Sequence, residues 1–224
     1  MWDVRSGKLL QSLHVADSQS ASFTIDRRTN SIGLSADGSV LAACAASMND
    51  EFVDTVRLWD AHSGNLVRDF SAENVHGQPM ALSPDGSLIA TGGKSVRLWN
   101  AHTGKLVREL YGYLKRTQSI IFSTDGKMII SGGSYGTTNL WEVATGRLMV
   151  TLFAPTDPQN GAITDDWLAY TFDGFYDGSA DAGKFLAWRV GDELLLPQTL
   201  APQLHQPQRV AAALVVDSAK RTSP

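Results

Sequence analysis

Through most of the chain, apolar and polar side chains alternate with a period of two, as expected of strands that bury one face. The pattern is clearest in VRLWDAHSGNLVRDF at 56–70 and VRLWNAHTGKLVREL at 96–110. Each pairs two alternating runs through a short polar loop whose glycine can take positive φ, which predicts a β-hairpin. The unit recurs. Tryptophans stand at Trp2, Trp59, Trp99, Trp141 and Trp188, and the first four are followed five residues later by Gly7, Gly64, Gly104 and Gly146.

A second turn signal keeps step with the first. Ser35-Ala36-Asp37-Gly38, Ser83-Pro84-Asp85-Gly86, Ser123-Thr124-Asp125-Gly126 and Thr171-Phe172-Asp173-Gly174 each place Asp-Gly between alternating runs, a strong hairpin signature. From Asp85 to Trp99, Asp125 to Trp141 and Asp173 to Trp188 the step is about 15 residues, whereas Asp37 to Trp59 is longer, which locates an insert in SMNDEFVDT by the rule that extra residues collect in loops. Two hairpins per period of about 40 residues make a four-stranded antiparallel sheet, the blade of a β-propeller.

These residues resemble the WD-repeat (WD40) family, through Leu58-Trp59-Asp60, Leu98-Trp99-Asn100 and Leu140-Trp141-Glu142 together with the Ser-x-Asp-Gly turns. The resemblance implies an all-β, partial WD40-type propeller of about four blades, open or completed by another chain, with a short C-terminal tail. Asp37, Asp85, Asp125 and Asp173 would hold its turns, and Trp59, Trp99, Trp141 and Trp188 would pack its blades. The family's Asp between second and third strands is missing from TGGKSVRLW and SGGSYGTTNLW, which puts its Asp-His-Ser-Trp network in question. The propeller segment is expected over 1–196: a hairpin of a preceding blade at 1–14, whole blades at 31–70, 78–110 and 118–153, and a degenerate last blade at 165–196. A tail or linker follows at 197–224. A four-bladed ring closed by residues 8–14 as an outer strand stays open as an alternative. Met1 stands where a preceding strand should already run, which reads as a piece of a larger ring.

From Asp166 onward the wording changes. Thr171-x-Asp173-Gly174-x-Tyr176-Asp177-Gly178-Ser179, then Trp188-x-Val190-Gly191 and a short helix after Pro207, resembles the junction that precedes a caspase-like cysteine peptidase domain in bacterial WD-repeat proteins. That resemblance implies a regulatory or sensing region for such a peptidase.

Composition narrows the partners. The net charge is −4, with 19 Lys+Arg against 23 Asp+Glu and no basic stripe, so nucleic acid is not expected. No run reaches the length of a membrane span, and no membrane partner is expected. A single cysteine, Cys44, forms neither an internal disulfide nor a Cys-cluster zinc site and suits a reducing, cytoplasmic setting.

Candidate chemistry is sparse. Gly132-Gly133-Ser134-Tyr135-Gly136 spells the GxSxG of a nucleophile elbow, but it occupies a strand-to-strand turn rather than a strand-to-helix one. Gly93-Lys94-Ser95 lacks the earlier glycine of a P-loop, since Leu88 stands there. Asp173, Asp177 and Asp181 are four apart, unlike the alternate-residue spacing of a calcium loop. His62 and His102 repeat at one hairpin tip without a third member, because the next copy has Ala144. The expectation is therefore no catalytic residues, cofactor or metal, and a scaffold for protein partners of unspecified identity, with self-association through open blade edges. Arg5, Met48, Asp50, His62 and His102 are the candidate contact residues on its loop rims.

Overall fold

The computed structural model describes residues 3, 5–9, 29–45, 53–73, 79–112, 116–156, 162, 164–190, 192–195 and 203–215. The alternating runs form antiparallel sheets. The first sheet is β1 (Thr29–Leu34), β2 (Val40–Ala45), β3 (Val53–Asp60) and β4 (Leu66–Glu73), hydrogen-bonded in sequence order. The second repeats it with β5 (Met80–Leu82), β6 (Leu88–Thr91), β7 (Val96–Asn100) and β8 (Leu106–Leu110). A third set, β9 (Thr117–Phe122), β10 (Met128–Gly133), β11 (Thr137–Glu142) and β12 (Leu148–Phe153), is again paired in order.

The three sheets stand beside one another through their first strands, β1 against β5 and β5 against β9. The backbone ties them: Ala36 N–H donates to Pro84 C=O at 2.8 Å and Thr117 N–H to Gly93 C=O at 3.1 Å. Side chains add to this, with Ser31 Oγ donating to Met80 C=O at 2.9 Å and accepting from Met80 N–H at 3.1 Å. The fold is thus all-β, built of four-stranded antiparallel blades set side by side as in part of a β-propeller.

Alternation along each third strand explains how a blade serves two neighbours. Val56 and Leu58 join Met80, Leu82, Ile89 and Trp99 in the core between the first and second blades. Val96 and Leu98 turn the other way and meet Ile120, Ile129 and Trp141 in the core between the second and third. Each indole therefore packs toward the preceding blade; Trp99 meets Phe70 with ring centroids 5.5 Å apart. Trp59, also buried, occupies the face of the first blade turned away from the second. Gly112 lies so close to the Trp141 ring that a Cβ there would come within 2.6 Å of it.

The segment 165–196 differs from the expected fourth blade. β13 (Leu168–Thr171) pairs antiparallel with β12, and β14 (Tyr176–Gly178) pairs with β13, so the third sheet grows to six strands. β12 is otherwise the outer strand of its blade, with a row of unpaired backbone groups, and β13 supplies their partners. β15 (Trp188–Val190) and β16 (Glu193–Leu195) form a separate pair in which Val190 faces Glu193. The five-residue loop that joins the third and fourth strands after Trp59, Trp99 and Trp141 is replaced there by a two-residue connection, and Glu193 stands where the loop glycine would be.

The helix α1 (Pro207–Ala213) starts on a proline, whose missing N–H costs nothing in the first turn. Val210 and Ala213 lay it on the free face of the third sheet against Met128, Met149, Ala169 and Phe175. Gln206 N–H donates to Tyr176 C=O at 3.0 Å, and His205 stacks on the Tyr176 ring.

Candidate functional site

The two turns of each blade meet on one rim. Ala61 N–H donates to Ser39 C=O at 2.8 Å, Ala101 N–H to Ser87 C=O at 2.9 Å, and Val143 N–H to Lys127 C=O at 2.9 Å. The Asp-Gly turn is locked from within. Ser35 Oγ donates to Asp37 Oδ1 at 2.6 Å and accepts from Val40 N–H at 2.9 Å, and Ser39 N–H donates to the same carboxylate at 3.0 Å. Ser83 with Asp85 and Ser123 with Asp125 repeat this arrangement, each at 2.6 Å. These donors favour the ionised carboxylate. The Ser35 hydroxyl, with the Ser39 amide and hydroxyl, holds Asp37 down at about 2, and the Ser83 and Ser123 hydroxyls lower Asp85 and Asp125. Asp173 is different. Its turn is one residue shorter, so Thr171 Oγ1 accepts from Phe175 N–H at 3.2 Å, and among the described residues none donates to the Asp173 carboxylate.

The hairpin tips of the blades form the rest of this rim, and the Asp3–Gly7 tip has the same local geometry. Asp60 Oδ1 accepts from His62 and Ser63 N–H at 3.0 and 2.7 Å, and Asn100 Oδ1 accepts from Thr103 N–H at 2.8 Å. Asp3 Oδ1 accepts from Ser6 N–H at 2.6 Å, with Gly7 at φ +65 like Gly64 at +74. Arg5, His62 and His102 therefore take the same place on three tips, two residues past the anchoring side chain, and all three are exposed. Met48 and Asp50 lie outside the described residues, as does the side chain of Trp188.

The buried indoles carry polar partners drawn from the second strand. Trp99 Nε1 donates to Thr91 Oγ1 and Trp141 Nε1 to Ser131 Oγ, both at 2.9 Å. In the first blade the equivalent position is Ala43, which has no hydroxyl to offer. The adjoining third-to-fourth-strand pairs are polar throughout: Arg57 opposite Asp69, Arg97 opposite Glu109, Asn139 opposite Thr151. Glu109 accepts from Ser95 and Tyr111 hydroxyls and from Arg97, and these, Ser95 foremost, hold its carboxyl below the usual range.

The Gly132–Gly136 string ends β10 and makes a single 3-10 turn into β11, not the strand-to-helix elbow a serine nucleophile needs. Asp177 Oδ1 lies 3.6 Å from His205 Nε2. Among the described residues, no group of three His, Cys, Asp or Glu gathers as a metal site, and no helix is long and apolar enough to cross a membrane.

Two concavities adjoin the turns. One, of about 410 Å³, runs across β1, β5 and β9 and is lined by Ile32, Leu34, Met80, Leu82 and Ile121 among others. The other, of about 540 Å³, lies between α1 and the third sheet. Its walls include Arg147, Arg209, Phe172 and Phe175, none of which the sequence reading selected as a contact residue.

Residues 54–100 and 104–142 match the family model of the WD domain, G-beta repeat. The two matched stretches together cover under half of the chain, and with the four-stranded sheets they are consistent with a partial WD40-type propeller. Each runs from one blade into the next: 54–100 covers β3 through β7, and 104–142 covers β8 through β11. Each matched stretch therefore joins neighbouring blades covalently and does not coincide with one sheet. No curated protein matches the chain.

Proposed function

We propose that this chain is a non-catalytic scaffold for protein–protein contacts, presenting the rim on which the Asp-Gly turns and hairpin tips meet. The observation that carries the reading is the repetition of one locked tip, with Arg5, His62 and His102 in equivalent exposed places two residues past the bracing side chains of Asp3, Asp60 and Asn100. Loops held at both ends by hydrogen-bonded turns lose little conformational freedom on binding, which favours broad recognition. WD40 repeats as a family are generally interaction modules.

The test uses the purified chain as bait, then each captured protein in purified form. The triple variant Arg5→Glu, His62→Glu, His102→Glu is expected to bind at least about 10-fold more weakly, since like-charge contacts and lost rim pairs cost on the order of 1.4 kcal/mol or more. Its melting temperature should be unchanged. Turnover of a substrate by the chain, abolished by a defined substitution, overturns the reading. A regulatory role beside a caspase-like peptidase is supported by the wording of 166–214 alone. It is tested by whether the reading frame, or one directly downstream, encodes a His and Cys dyad domain.

A further inference from the structure

We propose that the cleft between α1 and the third sheet takes an acidic-apolar segment of a partner protein, its carboxylate held by Arg209 and Arg147 and its apolar side chain seated on Leu148, Met149 and Phe175. The proposal rests on the scaffold reading and names a second contact site within it. The cleft holds about 540 Å³, within the range of sites that bury a ligand side chain.

Arg209 is the deciding residue. Its guanidinium lies over the Phe175 ring, 4.3 Å from the centroid. A guanidinium held over an aromatic face by the ring's quadrupole still has N–H donors to offer, and these form the fork a carboxylate accepts. Among the described residues neither Arg209 nor Arg147 has an acidic partner, although both line the cleft. Arg97 and Lys184, by contrast, are paired with Glu109 and Asp166.

The remaining wall selects the ligand. Glu142 and Asp173 also line the cleft; Glu142 Oε2 already accepts from Thr145 Oγ1 at 2.5 Å. With two carboxylates near two arginines, the cleft carries no strong net field, so a bare polyanion is not concentrated there. Binding needs apolar burial as well as one carboxylate. Phe172, 81% exposed, and Val215, 68% exposed, stand at the mouth beside that floor and supply further apolar contact.

The full chain is titrated into fluorescein-labelled Ser-Glu-Leu-Phe-Gly and its glutamine twin, Ser-Gln-Leu-Phe-Gly, with anisotropy as the readout. The glutamate peptide is expected to bind about 10-fold more tightly than its twin, the span of a charge-assisted hydrogen bond. Arg209→Met, which keeps the contact with Phe175, should erase that preference. Arg209→Lys, with charge but no fork, should retain only part of it, and Arg147→Met should reduce it, so the case stands if one variant fails to fold. Absence of binding at millimolar chain, equal binding of the twins, or an unchanged preference in folded Arg209→Met overturns the proposal. The rim triple variant separates the two ideas. If it loses its protein partner while the peptides fail to bind, the cleft proposal falls and the scaffold reading stands.

Discussion

Trp141 Nε1 sits in a core only 1% exposed and has Ser131 Oγ as its acceptor. Ser131→Ala strands that donor away from water and should cost about 1–3 kcal/mol, while Trp141→Ala, which also opens a cavity between two blades, should cost about 3–5 kcal/mol. Urea unfolding followed by intrinsic fluorescence or circular dichroism measures both. Acid sensitivity belongs to the same scale. Asp37 has a folded value of about 2 against an ordinary 3.8, so the stability it contributes is complete above about pH 4 and is lost as pH falls through 2. Carbon NMR of the Asp37 carboxyl should show that low midpoint, and Asp37→Asn should remove its share of the acid-induced loss; a midpoint near 4 would contradict the hydrogen-bonded turn. The serine–aspartate spacing made this legible in the sequence. The indole's partner was not, since Ser131 and Thr91 become its neighbours only when the second and third strands pair in register.

Among the elements, α1 is seven residues long, too short to persist without packing. Val210 is its buried anchor, 3% exposed against Met149 and Ala169. Val210→Asp should lose about 1.5–3 kcal/mol of apolar burial and free the helix, read as fast proteolysis within 203–215 while 88–100 stays resistant. Equal resistance in variant and parent would mean that the helix is held by other contacts. β13 shows where local wording misleads. Thr171-x-Asp173-Gly174 reads like the three blade turns before it, yet it connects two strands added to the outer edge of the third sheet. The turn's composition is a local property. Which strand it pairs with depends on an edge presented by β12, and no residue within the turn encodes that.

At the level of the whole molecule, contacts run from each blade to its neighbour, as in other repeat arrays. The second blade has a whole blade against each face, whereas the third has a blade on one and only the seven-residue α1 on the other, so the second blade's amides should be the last to exchange. Hydrogen exchange read by mass spectrometry should find 88–100 slower than 40–45 and 117–122; the reverse order would place the stability elsewhere. The period of Trp and Asp-Gly by itself determined the hairpins, the four-stranded blades and the WD40 likeness, because turn geometry and strand alternation act over a few residues. Only the tertiary structure decided that the C-terminal segment extends the third sheet, that α1 covers that sheet's free face, and that Arg209 is stacked on Phe175 beside a cleft. Those outcomes come from burying surfaces and satisfying backbone groups between residues distant in the chain, and a pairing of that kind leaves no periodic trace.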